Sequence, residues 1–286
     1  TGELIGKMTH QYDDSMACAN SNAEINALAF SADGLYIATG DGGNDGAKVW
    51  DATVFSEGSY TELGANDYLY YKESGAEVDG LDFSLNNKWL AIASDEEVVI
   101  YDQQNNFSQV VRLVGPGASG AVNSIDFSHD SKYIAWALSG GKTYVYSTPD
   151  LDGSWTYRDD FATNNPASVK SCRFSPDDQY ICVSGRNQQM EVWKTNGGDR
   201  NDFVQEHVFT HNENQTPFAC DDQDSNAAVE AVEWTPDGQY LISGGLISGR
   251  ISLYNVGTWD KVTFSTGLDY ILGQQTNRQI EFIDCF

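Results

Sequence analysis

The sequence predicts an all-β protein. The architecture is a β-propeller of four-stranded antiparallel blades, six by the spacing with seven as the other count, closed by strands from both termini. Three observations carry this. A hairpin recurs five times, as "FSADGLYIATG" (30–40), "FSLNNKWLAIAS" (83–94), "FSHDSKYIAWAL" (127–138), "SPDDQYICVSG" (175–185) and "WTPDGQYLISGG" (234–245). Its aromatics, Phe30, Phe83, Phe127, Phe174 and Trp234, recur at a spacing close to the roughly 40–50 residues of a propeller blade with inserted loops. No convincing amphipathic helix interrupts the pattern.

Each hairpin is followed by a third strand: "AKVWD" (47–51), "VVIYD" (98–102), "TYVYS" (143–147), "MEVWK" (190–194) and "ISLYN" (251–255). Alternation with aromatic and β-branched residues marks these as strands. Further strands lie between the units, as in "DYLYYKES" (67–74) and "EHVFTH" (206–211). The chain is therefore expected to be one domain, 1–286, with repeat hairpins near 24–51, 77–102, 121–147, 168–194 and 228–255. A sixth unit over 256–286 is completed by 1–14. Within it "DYILGQQTNRQIEFID" (269–284) supplies the second and third strands and "TGELIGKMTHQ" the outer one. Closure of this kind removes the free edges that invite aggregation. The segment "WDKVTFST" is contested, since it cannot serve both as outer strand of blade five and as inner strand of blade six.

Charge sets the second constraint. The 286 residues carry 16 Lys and Arg against 42 Asp and Glu, a net charge of −26. A nucleic-acid backbone or an anionic membrane surface needs the opposite sign, so both are poor partners. Basic protein surfaces, divalent cations and a salty medium fit, as does an acidic surface that keeps the chain soluble. No stretch approaches the eighteen or so apolar residues of a membrane span, and no signal peptide is visible in the opening residues.

Five cysteines leave one over in any pairing scheme. If Phe174 faces Tyr180 across its hairpin, Cys172 comes to lie opposite Cys182, close enough for a bridge. Both nevertheless occupy positions where the sister repeats carry small or apolar residues, so buried free thiols and a reducing compartment, the cytoplasm, are expected. Sequons at Asn106 and Asn214 keep a secreted reading alive.

Catalytic signatures are missing: there is no Gly-x-Ser-x-Gly, phosphate loop or His-Glu-x-x-His. His207 and His211 share one face of a strand but lack further ligands. In "DDQDSNAAVEAVE" (221–233), Asp222, Asp224, Asn226 and Glu233 fall at positions 1, 3, 5 and 12 of calcium-loop spacing. Ala227 stands where that turn wants glycine, and a solvated acidic loop is the simpler reading. Trp155, Tyr157 and Phe161, large aromatics in a polar loop, are candidates for interface anchors or for local packing.

Trp50-Asp51, Tyr101-Asp102, "FSADG", "FSPDD" and "WTPDG" together resemble the WD-repeat family of β-propellers. The family's Gly-His is absent, and its Asp six residues before the Trp is present only as Asp95. The likeness implies a non-catalytic scaffold, a subunit of a larger assembly that needs no cofactor, and the net charge implies that the proteins it binds present basic surfaces. The run "YDQQNNFSQVVRLVG…AVNSIDFSHDSKYI" is similar to microtubule-associated propellers of the echinoderm-microtubule-associated-protein-like group, which implies a cytoskeletal or ciliary setting. An extracellular calcium-binding propeller, including a hydrolase, is the alternative.

Overall fold

The computed structural model describes residues 4–8, 25–42, 46–56, 59–64, 67–72, 77–162, 168–185, 189–195, 203–210, 229–245 and 251–262. They fall into two compact units, 1–116 and 117–286.

The first unit holds β1 (Gly6–Met8), β2 (Ile25–Phe30), β3 (Tyr36–Asp41), β4 (Ala47–Asp51), β5 (Thr61–Leu63), β6 (Tyr70–Lys72), β7 (Gly80–Phe83), β8 (Trp89–Ser94), β9 (Glu97–Asp102) and β10 (Ser108–Val114). Blade one is the sheet β2-β3-β4-β6 and blade two is β7-β8-β9-β10. The second unit holds β11 (Val122–Phe127), β12 (Tyr133–Leu138), β13 (Lys142–Ser147), the short helix α1 (Pro149–Asp152), β14 (Thr156–Ala162), β15 (Val169–Phe174), β16 (Tyr180–Gly185), β17 (Gln189–Lys194) and β18 (Val204–Thr210). It ends with β19 (Val229–Trp234), β20 (Tyr240–Gly245) and β21 (Ile251–Asn255). Blade three is β11-β12-β13-β14, blade four β15-β16-β17-β18, and blade five β19-β20-β21. These are the antiparallel blades of a β-propeller.

The second strand of blade four, "YICVSG", is buried on both faces because that blade packs against blade three on one side and blade five on the other. The cores accordingly lie between consecutive blades. Ala38, Val49, Leu90, Ile92 and Tyr101 fill the seam between blades one and two. Ala135, Val145, Cys172, Ile181 and Val183 fill that between three and four. Cys182, Met190, Val232, Leu241 and Tyr254 fill that between four and five. Blade one departs from the rule on its other side. Leu28 and Phe30 are 54% and 60% exposed, whereas Phe83, Phe127, Phe174 and Trp234 at the position of Phe30 are buried.

Three expectations are corrected. The described residues form five blade sheets where the spacing predicts six, and residues 263–286, assigned to the sixth, lie outside them. The N-terminal strand does not complete such a blade among the described residues: β1 pairs in parallel with β5, and Thr61 donates its N–H to the Ile5 carbonyl at 3.0 Å. Gly6 permits this, since a Cβ there would run into the Phe55 ring. The contested "WDKVTFST" begins as the outer strand of blade five, with Lys261 bridged to Tyr254 and Val262 donating to Leu253 O at 2.8 Å.

The third correction concerns register. Ser175 and Tyr180 close the hairpin through Ser175 N–H to Tyr180 O at 2.9 Å, so Phe174 pairs with Ile181 and Cys172 with Val183. A slip of one residue reverses every side chain. Cys172 therefore faces blade three and Cys182 faces blade five. Both thiols are free and buried, and burial pushes the Cys182 thiol well above its ordinary value, with the Glu191 carboxylate adding to it.

Candidate protein-interaction surface

The recurring hairpin tip explains the recurring sequence. At each tip a hydroxyl donates to the side-chain oxygen two residues on: Ser31 to Asp33 (2.6 Å), Ser84 to Asn86 (2.7 Å), Ser128 to Asp130 (2.8 Å), Ser175 to Asp177 (2.6 Å) and Thr235 to Asp237 (2.6 Å). The same hydroxyl accepts the N–H of the residue that opens the second strand, for example Tyr133 at 2.9 Å and Tyr180 at 3.0 Å. The carboxylate or amide then accepts a further N–H, as Asp130 does from Lys132 at 3.0 Å. These side-chain bonds replace a backbone turn. Hydrogen bonds from Thr235 and from the backbone hold the Asp237 carboxyl below its usual value. Burial would raise Asp130, but the bonds from Lys132 and Ser128 outweigh it and leave that carboxyl lowered as well.

The fourth tip residue sits in the left-handed region in every blade: Gly34, Asn87, Ser131, Asp178 and Gly238, with φ between 56° and 70°. The asparagine and the aspartate reach the preceding tip. Asn87 accepts from Asp33 N–H at 3.0 Å, and the two oxygens of Asp178 accept from His129 and Asp130 N–H, each at 2.7 Å. Gly238 has no side chain, and the residue it approaches, Pro176, has no N–H to satisfy.

The residue after the third strand gives a second variable link. Gln103 donates its amide to Asp33 across the seam between blades one and two at 3.2 Å. Thr195, its counterpart in blade four, turns back to its own tip and donates to the Asp178 carbonyl. A groove of about 440 Å³ lies between the blade three and blade four tips, walled by Asp130, Lys132, Leu151, Asp177, Lys194 and Thr195.

On the inner strands of the second unit, ion pairs join consecutive blades: Lys170–Glu230 at 3.5 Å and Arg173–Glu233 at 3.2 Å. Arg173 also donates to Ser124 Oγ at 2.9 Å, so one guanidinium staples three strands.

Of the proposed calcium ligands, Asp222, Asp224 and Asn226 lie outside the described residues. Glu233 lies in β19, where its carboxylate holds Arg173 and the Trp234 N–H. Among the described residues no cluster of three or more His, Cys, Asp or Glu could hold a metal. Phe161 is buried and stacks on Trp193 at 4.6 Å, in keeping with the local-packing reading of this aromatic. Tyr157 bonds to Asp160 in the same strand, and Trp155 is half-buried.

Trp155 belongs to a series unnoticed in the sequence. Each link from third to outer strand carries an aromatic: Phe55, Phe107, Trp155, Phe203 and Trp259. Phe107, Phe203 and Trp259 are buried, against Tyr36 and Tyr70, against Phe161, and against Tyr180 and His207 respectively. They plug the seam with the preceding blade. The signal in the sequence is an aromatic at a variable distance, four to nine residues, after each third strand. Trp259 accepts a φ of 61°, rare for a bulky residue, to reach its place.

Comparison with known proteins agrees with this architecture. The family description "WD domain, G-beta repeat" matches residues 14–51, 160–194 and 219–255, which end with the third strands of blades one, four and five. The chain is 26% identical over 187 residues to Pre-mRNA-processing factor 19 homolog 2 of Arabidopsis thaliana, covering 63% of this chain and 31% of that protein. It is 24% identical over 272 residues to Protein HIR1 of Phaeosphaeria nodorum, covering 86% of this chain and 24% of the relative. The chain thus spans about a quarter to a third of the curated relatives it matches. A chain in a crystal structure of the Mitotic Checkpoint Complex shares the fold, with a TM-score of 0.62 and 15% identity over 88% of this chain and 72% of that one. None of these names is cytoskeletal, so the microtubule-associated likeness finds no support in them. No helix among the described residues is long and apolar enough to cross a membrane.

Proposed function

Because this chain is a WD-repeat β-propeller protein, we propose that it serves as the non-catalytic scaffold of a protein assembly inside the cell, holding basic segments of its partners. The observation that carries the reading is the division of labour within each blade. Buried seams and hydrogen-bonded hairpin tips hold the blades, while side chains that differ between them, such as Lys132, Leu151 and Asp177, reach the surface. A net charge of −26 steers cationic segments toward that surface and away from nucleic acid. Two buried cysteines outside any disulfide, Cys172 and Cys182, suit a reducing compartment.

The test is the native size of the chain in a gentle low-salt extract, with crosslinking and mass spectrometry on the same fraction. The scaffold predicts elution within a larger assembly and reproducible crosslinks to defined neighbours. A free monomer without such crosslinks overturns it.

A further inference from the structure

The seam between blades one and two shows what the seam between three and four leaves open. Equivalent backbone bonds fix the correspondence: Gln103 N–H donates to Lys88 O and Thr195 N–H to Gln179 O, at 2.8 and 2.9 Å. In the first seam the Gln103 amide crosses to the tip carboxylate of Asp33. In the second, Thr195 is spent on the Asp178 carbonyl of its own tip, and Lys132, which also lines the groove, pairs with the Asp130 carboxylate at 2.9 Å. The uncrossed space is the groove of about 440 Å³, within the roughly 300–1,000 Å³ of sites that enclose a ligand group.

Its walls define what fits. Asp177 uses Oδ1 for Ser175 and Gln179, which leaves Oδ2 for a donor entering the groove. Asp178 adds a second carboxylate, fixed by two backbone N–H groups. Leu151, placed there by α1, offers an apolar wall and is 38% exposed. Lys194 supplies a donor suited to a backbone carbonyl.

We propose that the groove between blades three and four docks a partner protein segment presenting an arginine or lysine side chain next to an aliphatic one. The cationic group enters the space that the Gln103 amide spans in the sister seam and bonds there to Asp177 Oδ2, while the aliphatic residue lies on Leu151. This rests on the scaffold reading and names one of its contact sites.

The experiment uses the whole chain with methyl-labelled leucine and two probes, acetyl-Gly-Arg-Leu-Gly-amide and its Glu-Leu counterpart. Saturable shifts of the Leu151 methyls are expected with the arginine peptide and none with the glutamate peptide. Thr195→Gln, which transplants the sister seam's bridge, should weaken binding by ~10-fold, and Asp177→Asn should weaken it in the same direction. Melting curves establish that both variants fold. No saturable shift, an equal response to the glutamate peptide, or unchanged binding in Thr195→Gln overturns the proposal. So does a Leu151 shift that follows protein concentration without peptide, which would make a second copy the occupant. If the native assembly persists while the peptide fails to bind, the groove proposal falls and the scaffold stands. If the chain is a free monomer that binds the arginine peptide, the scaffold falls and the groove stands.

Discussion

Blade four is joined to its two neighbours in different ways. Toward blade three the hairpin tips are clamped by Asp178, while the wall opposite Asp130 is left short by Thr195. Toward blade five Gly238 removes the clamp, and other bonds take its place. The Trp234 indole donates to the Arg173 carbonyl at 3.1 Å, Trp259 plugs the outer seam against Tyr180, and Arg173 and Lys170 pair with Glu233 and Glu230. The same repeat can thus be fastened at its tip or along its flank. The choice turns on single residues that leave the hairpin itself unchanged.

The largest effect is expected on the flank. Trp259→Ala empties a buried site between blades and relieves the left-handed backbone only in part, so a loss of about 3–5 kcal/mol is expected by denaturant unfolding. A loss below about 1 kcal/mol would mean that the aromatic plug does not hold this seam. At the tip, Asp178→Ala removes two charge-assisted acceptors and should cost about 1–2 kcal/mol. Amide exchange should show the opening centred on His129 and Asp130, and unaltered protection there would break the contrast. The Arg173–Glu233 pair is partly exposed, so a double-mutant cycle should give a coupling of about 1 kcal/mol or less. Gly238→Asn sharpens the comparison most finely. Pro176 offers no N–H, so only the Asp177 donor can be gained and the change in melting temperature should be near zero.

Acid gives a separate test. Asp130 and Asp237 are held below the ordinary carboxyl value of 3.8. A group lowered in the folded state contributes stability that is present above that ordinary value and lost as pH falls through the folded one. Protection of the blade three and blade five tips should therefore hold down to about pH 4 and decline below it. Tips that loosen first between pH 5 and 7 would contradict the assignment.

The blades were legible because the tip chemistry is local. A hydroxyl, a carboxylate two residues on and a position that tolerates the left-handed region are written within four residues. Register was less legible. Aligning Phe174 with Tyr180 ignores that Ser175 itself closes the ladder, and that one-residue error put Cys172 and Cys182 on the same side. The plugs were missed because their spacing from the third strand varies with the inserted loop, short before Trp259 and long before Phe203. The groove could not be read from the sequence. It exists because Thr195 fails to cross a gap that Gln103 crosses, and this comparison requires knowing which residues face each other.

The left-handed fourth residue of each tip has a consequence for how such an array comes apart. In a linear series of repeats, cooperativity is the sum of nearest-neighbour couplings, and the weakest junction sets where the series divides. A single residue at that position adjusts one junction without altering the blade that carries it. Fraying can therefore be directed to one junction by replacing the left-handed Asn87 or Asp178 that clamps it with glycine.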